Sequence, residues 1–225
     1  MPDDGRSSGP PRPGGAGAKR STAALRSLEG EGPNDRATPP LLPPPFLAVG
    51  ARRGAKDHRR AEEVRAALAA AVAIFRTDPN ALTQLVDARA VAGERHLASA
   101  LARAARARAQ GRSHLADPGA EFLLYLSGTD QFPGAVARAG IRDDSRELVL
   151  VLSPPGDVHG LLVRTELEED PSVFPRAPDE AVLERVGIDR ASLQLVPRGR
   201  WELLAIEAGA LVDLPRAGGQ GRGKG

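Results

Sequence analysis

The sequence contains no cysteine, only four histidines and few aromatic residues, and each shortage excludes a class of site. Without cysteine, neither a disulfide framework nor a thiolate metal site is possible. No two histidines have a metal-ligand spacing such as i,i+4 on one helix, so no bound metal is expected. Phe, Trp and Tyr make up 3% of the residues, too few for a platform on which successive bases of a single strand stack.

Long apolar segments are also missing. No run of about 18 apolar residues occurs, which argues against a membrane-spanning helix. Residues 1–17 lack the apolar centre of a secretory signal peptide. These absences predict a cytoplasmic protein that does not associate with membranes.

Motifs that carry catalysis or cofactor binding are not found in the sequence. There is no Gly-x-Ser-x-Gly elbow for a serine nucleophile, no P-loop and no dinucleotide-binding loop. The carboxylates of residues 166–170 are consecutive, which predicts a solvated loop rather than two groups held in different environments for acid–base catalysis. We therefore expect no catalytic residue, no cofactor and no small-molecule substrate.

Composition divides the chain into three parts. Residues 1–45 are rich in Gly, Pro, Ser and Arg and poor in large apolar residues, a composition typical of disorder. Residues 215–225 form a basic segment that is expected to be flexible. The remaining residues, 46–214, are enough for one domain.

The net charge is only +2, but the charged residues are unevenly distributed. Residues 1–60 carry 11 basic and 6 acidic side chains, whereas residues 143–214 carry 7 and 15. A basic front and an acidic back indicate either two unlike partners, one of them a polyanion, or an ordinary solvated surface.

Apolar periodicity predicts a domain that contains both helices and strands. Helical spacing marks residues 61–75 and 93–110, and Asp117 followed by Pro118 predicts the start of a third helix. Further helices are expected at residues 129–139, 179–186 and 201–208, and strands at residues 46–50, 82–86 and 147–152. The pattern predicts an α/β (α+β) domain with a small mixed sheet packed by several helices.

The helix predicted at residues 93–110 has one basic face. Arg95, Arg103 and Arg106 lie opposite its apolar stripe. Glu94 is the only acid in the helix, so their charge is expected to be uncompensated within it. This face indicates either a surface that binds phosphates, to which arginine donates in pairs, or a surface that keeps an alanine-rich helix soluble.

Two further residues, Arg112 and His96, lie close to this face. Arg112 extends the positive region past the end of the helix. His96 stands in the first turn, where the helix dipole disfavours its protonation, so a neutral ring is expected. Both a hydrogen-bonded structural role and contact with a ligand fit this position.

Several segments, taken together in their order and spacing, resemble a known family. They are Val91-Ala92-Gly93-Glu94-Arg95-His96-Leu97, then Ala100, Ala104 and Gly111, then Glu121-Phe122-Leu123-Leu124-Tyr125-Leu126-Ser127-Gly128, Gln131 and Gly140-Ile141. The family is the kinase-regulating subunit of the KEOPS complex, the PRPK-binding protein family (TPRKB in animals), which has archaeal members. The resemblance is densest over residues 87–141 and extends weakly over residues 46–214.

The resemblance implies a mixed α/β domain without catalysis of its own. Members of this family bind the N-terminal lobe of an atypical kinase/ATPase and stimulate it. They do so within a complex that attaches threonylcarbamoyl to the adenosine next to the anticodon of tRNA. Archaeal members also help to hold tRNA, notably its 3′ CCA end.

Two sets of site residues follow. By position in the family, the kinase would be contacted by Glu121, Tyr125, Gln131, Leu211, Val212 and Leu214. Our own candidates for tRNA contact, on and beside the arginine face, are Arg95, His96, Arg103, Arg106 and Arg112.

The sequence departs from the family pattern at Asp130, where members commonly have an arginine before Gln131. An anion contact by that arginine is therefore not expected here. Pro133 is tolerated only in the first turn of a helix, which predicts that the helix either starts near Thr129 or is bent at Pro133. Residues 210–225 are expected to be dispensable for folding. A stand-alone RNA-binding protein, acting through its basic segments, is the alternative function.

Overall fold

The computed structural model describes residues 43–75, 78 and 80–214. Predictions made for residues 1–42 and 215–225 lie outside the described residues. The strands are β1 (Leu47–Arg53), β2 (Leu82–Asp87), β3 (Glu147–Ser153) and β4 (Leu167–Glu169). The helices are α1 (Ala61–Phe75), α2 (Glu94–Ala109), α3 (Pro118–Ser127), α4 (Phe132–Ala139), α5 (Val158–Thr165), α6 (Glu180–Arg185), α7 (Arg190–Leu195) and α8 (Trp201–Leu211).

The four strands form one sheet in the order β2-β3-β1-β4. Every pairing is antiparallel, so the sheet is not mixed in strand direction as the sequence suggested, although the α/β class is confirmed. The apolar run Glu147–Ser153 predicted a central strand, and β3 does lie between β2 and β1. In register, Leu150 of β3 pairs with Val49 on one side and Leu85 on the other.

Both faces of the sheet are covered by helices. Because side chains alternate along a strand, Val149 and Val151 of β3 point to one face, where they join the core formed with α2 and α3. Leu148, Leu150 and Leu152 point to the other face and pack against α1 and α5. The result is a three-layer arrangement with α1 and α5 on the opposite side of the sheet from α2 and α3.

The helix signals around α3 are confirmed. Asp117 accepts a hydrogen bond from the backbone N–H of Ala120 at 2.8 Å, and Pro118 occupies the first turn. Gly128 follows the helix in the left-handed conformation, with φ of 64°. Helix α3 is buried almost throughout, which places it at the centre of the helical layer.

Helix α8 lies against α2 and α3. A Cβ atom added to Gly209 would lie 2.6 Å from the backbone oxygen of Tyr125, so the backbones of α8 and α3 approach more closely than any side chain permits. Trp201 and Ala205 join a third apolar cluster with α6 and α7. Val212, just after α8, belongs to the main core.

Two local predictions are wrong. The predicted solvated loop at residues 166–170 contains the edge strand β4, because Leu167 is buried against α1 and α5 while Glu168 and Glu169 point outward. Helix α4 begins at Phe132, with Gln131 at its N-cap position, rather than near Thr129. The Thr129 hydroxyl accepts a hydrogen bond from the N–H of Gln131 in the preceding turn, and the later start still places Pro133 in the first turn.

Within the described part of the chain, none of the helices combines the length and the apolar character needed to cross a bilayer.

Candidate functional site

Helix α8 is apolar on nearly all sides, and not all of its apolar residues are covered. Trp201, Ala205 and Gly209 are buried against the rest of the fold. On the other side, Leu211 is 63% exposed and Leu214, just beyond the helix, is 61% exposed. A helix that is apolar all round is normally buried on all sides, so this side of α8 has the composition of an interface. Leu211 and Leu214 are called the C-terminal apolar face below.

The turn after α3, which leads into α4, lies against α8. A Cβ atom added to Gly128 would lie 3.0 Å from the Cβ of Ala208, one helical turn before Leu211. Gln131 and Phe132 follow Gly128 at the beginning of α4, and both are exposed. The structure therefore brings together two segments predicted to contact a kinase, residues 121–139 and 211–214.

A carboxylate joins the C-terminal segment to both α2 and α3. Asp213 accepts hydrogen bonds from Arg103 Nη1 of α2 and from the Tyr125 hydroxyl of α3, each at 2.9 Å. Burial, followed by the hydrogen bond to Asp213, raises the pKa of Tyr125, so the phenol stays protonated and donates. The charge of Arg103, which was expected to have no partner within its own helix, is compensated by a residue of a distant segment.

Three of the predicted kinase contacts do not reach the surface. The exposed fraction is 0% for Glu121, 1% for Tyr125 and 6% for Val212. Glu121 Oε2 accepts hydrogen bonds from the backbone N–H groups of His114 and Leu115, at 3.0 and 2.9 Å. Tyr125 and Val212 hold the C-terminal segment, whereas Glu121 holds the loop between α2 and α3. The prediction that these three side chains contact a partner directly is corrected, because they are buried.

The N-terminus of α2 is capped by a residue of α8. The N–H of His96 donates to Glu202 Oε1 at 3.1 Å. Gly93, which precedes α2, has a φ of 144°, and a Cβ atom there would lie 2.4 Å from Glu202 Oε1. Glycine at this position is therefore required for the approach of the carboxylate, which also stands at the positive end of the helix dipole.

His96 lies inside the fold. It is 1% exposed, and its Nδ1 accepts a hydrogen bond from the N–H of Ala92 at 3.2 Å. Burial lowers the pKa of His96 to about 4, and the Leu126 backbone opposes this shift only in part. The neutral ring predicted from the sequence fits this environment, whereas the predicted contact with tRNA is corrected because no surface of the ring is accessible.

The arginines of α2 have different environments. Arg95 is exposed and makes no hydrogen bond or ion pair with the part of the chain that the structure describes. It lines a surface pocket of about 350 Å³ between α2 and α8, together with Ser99, Arg103 and Ile206. Arg106 is half-buried.

Beyond α2, the exposed Arg112 donates to Gln110 Oε1. Arg108, which was not selected as a site residue, donates to the backbone oxygen of Ala116 at 2.8 Å in the wall of a groove of about 1030 Å³. The basic face is thus divided between the α2–α8 pocket and the region at the end of α2.

The family model described as kinase binding protein CGI-121 matches residues 56–170. The chain belongs to the CGI-121 family. This match confirms the resemblance drawn from residues 87–141. No curated protein matches the chain.

The CGI-121 match covers part of the site. It runs from the end of β1 to β4 and includes α2, α3 and α4, with Arg95, Arg103 and Gln131. Helices α6 to α8 and the C-terminal apolar face follow the matched residues. The contacts of Asp213 and Glu202 therefore attach a segment outside the match to the helices within it.

Sequence reasoning missed Asp213, Glu202 and Phe132 as parts of the site. Asp213 and Glu202 make their hydrogen bonds with residues 88 to 110 positions away, and no local pattern indicates such pairs. Phe132, the first residue of α4, is 41% exposed.

Proposed function

We propose that this chain is a non-catalytic regulatory subunit of the KEOPS complex that binds the N-terminal lobe of its atypical kinase/ATPase subunit and stimulates it. Membership of the kinase-binding CGI-121 family carries the proposal. The activity served is threonylcarbamoylation of the adenosine next to the tRNA anticodon, and the proposed location is the cytoplasm.

The surface proposed for the kinase is the C-terminal apolar face with the start of α4. Leu211, Leu214 and Phe132 are three of the seven exposed large apolar side chains in the described part of the chain. Aromatic side chains are enriched in protein interfaces, and exposed apolar side chains beside them add to the apolar area that a partner can bury. Gln131, exposed beside Phe132, adds a polar contact at the margin of this surface.

The surface proposed for tRNA, including its 3′ CCA end, is the basic side of α2. The exposed guanidinium of Arg95 and the neighbouring Arg103 line one pocket, and Arg112 is exposed past the helix end. Arginine binds phosphates in bidentate fashion, and such contacts supply most of the sequence-independent affinity for nucleic acid. Arg106, half-buried on the same helix, remains a candidate by position.

The test is a binding and stimulation assay with the kinase subunit. The full chain should co-purify with the kinase subunit, and its addition should raise the ATPase rate of that subunit. Absence of both effects, with the chain shown to be folded by circular dichroism, contradicts the proposal.

A stand-alone RNA-binding protein is the second candidate, and the exposure of Arg95 and Arg112 favours it. Under this alternative, tRNA binds to the chain alone with full affinity and the kinase has no effect. Changing Arg95 and Arg112 to Ala should then weaken tRNA binding and reduce the slope of log affinity against log salt by roughly one per lost phosphate contact.

A further inference from the structure

The pocket between α2 and α8 has a basic lining, completed by Pro43 and Ala98. Arg95, Ser99 and Arg103 are spaced by four residues, so they lie along one face of α2. Two guanidinium groups and one hydroxyl thus border a cavity of about 350 Å³, and Ile206 of α8 forms the opposite wall. The described residues place no acidic side chain in the lining of this pocket.

The Arg103 guanidinium has only part of its surface accessible from outside. Its Nε is buried and makes no hydrogen bond, so an incoming phosphate reaches the terminal nitrogens. One of these, Nη1, already donates to Asp213 Oδ2 at 2.9 Å. Asp213 accepts from one N–H group of Nη1, and the other N–H groups of Nη1 and Nη2 remain for a phosphate. A phosphate bound to them shares the guanidinium charge with Asp213 and weakens the ion pair between Asp213 and Arg103.

A weaker ion pair between Arg103 and Asp213 affects the C-terminal apolar face. Asp213 lies between Leu211 and Leu214, and its two hydrogen bonds attach this turn to α2 and α3 together with the buried side chain of Val212. If Arg103 turns toward a phosphate, only the Tyr125 hydroxyl still holds the carboxylate. The C-terminal apolar face then loses part of its fixed geometry.

We propose that Asp213 and a phosphate group compete for Arg103, so that phosphate binding in the α2–α8 pocket and partner binding at Leu211 and Leu214 oppose each other. Coupling between two sites is reciprocal, so the kinase must weaken phosphate binding by the same factor by which the phosphate weakens kinase binding. The kinase half of this inference rests on the proposed function, whereas the competition for Arg103 does not.

The decisive variant is Asp213→Asn in the full chain. It removes the charge that neutralises Arg103 but keeps an acceptor for Tyr125. Affinity for a short single-stranded RNA should rise roughly fivefold or more, at the lower end of usual coupling factors, while affinity for the kinase subunit falls by a similar factor. If Asp213 had only a structural role, Asp213→Asn would weaken both affinities, because a destabilised chain binds both the RNA and the kinase subunit less well.

Two controls separate charge from position. Asp213→Glu keeps the carboxylate, so its affinities for RNA and for the kinase subunit should be close to those of the unmodified chain. Glu169→Gln removes one negative charge from the exposed edge strand β4, so any rise in RNA affinity caused by net charge alone appears in this variant as well. Polyphosphate, tested beside the RNA, shows whether the phosphate is recognised without bases: an equal rise for both ligands assigns the site to phosphate, and a rise for RNA alone assigns it to nucleic acid.

The outcomes are distinct. Opposite changes in RNA and kinase affinity with Asp213→Asn support the competition. Unchanged RNA affinity in this variant, or a loss of both affinities that Asp213→Glu also shows, overturns it. If the unmodified chain fails to bind any kinase subunit, the proposed function fails, while the RNA measurement still decides the competition for Arg103.

Discussion

Glu202 of α8 caps the N-terminus of α2, since its Oε1 accepts a hydrogen bond from the backbone N–H of His96 at 3.1 Å. The two residues are 106 positions apart in the chain. Gly93 offers no side chain to cap α2 itself, and its backbone leaves room for the carboxylate of α8. This contact fixes the start of α8, just as the contacts of Asp213 fix its end.

Removing this cap should destabilise the fold. Glu202→Ala is expected to lower the free energy of unfolding by about 1 kcal/mol, the usual cost of losing a helix N-cap. Glu202→Gln keeps the acceptor oxygen but loses the charge at the helix dipole, so it should cost less than Glu202→Ala. Urea unfolding followed by circular dichroism measures the difference. Equal stability of Glu202→Ala and the unmodified chain contradicts the capping role.

Gly93→Ala should be destabilising because the added Cβ meets Glu202 Oε1 and the φ of 144° is unfavourable for a side chain. Part of this loss comes from the clash with the carboxylate. Combined with Glu202→Ala, which removes the clashing group, Gly93→Ala should therefore cost less than it does alone. Strict additivity of the two losses in urea unfolding would show that the two residues do not interact.

Leu211→Asp should abolish kinase binding without affecting the fold. Leu211 is 63% exposed, so the substitution buries no charge in the free chain, but it places a carboxylate in the proposed interface. The matched control is Ile74→Asp on α1, which is 62% exposed on the opposite side of the sheet. Calorimetric titration with the kinase subunit should show a loss for Leu211→Asp only. Similar affinities for the two variants exclude the C-terminal apolar face as the interface.

The stability of the fold should decrease as the pH falls from about 6.5 to about 4. In the folded chain the pKa of His96 is about 4, compared with 6.5 for the ordinary side chain. Between these values the unfolded chain binds a proton that the folded chain does not, so protonation favours unfolding by up to about 3 kcal/mol. His96→Asn offers an amide oxygen in place of Nδ1 and should remove this pH dependence. Measurement of the midpoint of urea unfolding at several pH values tests it.

Carboxyl groups change the stability of the fold at lower pH than His96 does, so the two effects can be distinguished. Burial opposes ionisation of Asp87, but hydrogen bonds from Arg89 and Ser145 outweigh it, and the pKa of Asp87 is lowered from 3.8. A lowered carboxyl pKa contributes stability that is present above about pH 3.8 and is lost below it. An unchanged slope between pH 6.5 and 4 in His96→Asn would therefore assign the effect to groups other than His96.

Truncation separates the two parts of the C-terminal region. A chain ending at Leu214 should retain the melting temperature of the full chain, since it keeps Val212 and Asp213. A chain ending at Gly209 loses the buried side chain of Val212 and leaves Arg103 without its carboxylate, so it should be less stable by about 2 kcal/mol or more. Differential scanning calorimetry compares the three chains, and equal melting temperatures would support the expectation that residues 210–225 are dispensable.

The elements predicted best from the sequence have a long, regular apolar pattern or clear terminal signals. Helix α1 occupies the predicted residues 61–75, and α3 begins at Pro118 after its Asp117 cap as expected. Strand β4 was missed because it contributes a single buried side chain, Leu167, between acidic residues. Its pairing with β1 decides its conformation, and pairing across more than 110 residues leaves no local pattern.

The candidate site was predictable only in its exposed parts. Arg95, Gln131, Leu211 and Leu214 were selected by residue type and position, and all four are exposed. Their roles remain proposals. Partly buried partners such as Asp213 could not be found in the same way, because from the sequence alone a charged residue in an apolar segment cannot be distinguished from solvated surface.

Gly209 gives the site its dimensions. The α8 backbone rests directly on the carbonyl of Tyr125, so the gap between the two helices is set by the absence of one side chain. A methyl group at this position would clash with the carbonyl of Tyr125 and force the end of α8 away from α3. Because α3 leads into Phe132 and α8 carries Leu211, Gly209 determines how far apart these two exposed side chains lie. A substitution at Gly209 would therefore weaken binding of a partner that contacts both side chains, although the partner does not contact Gly209 itself.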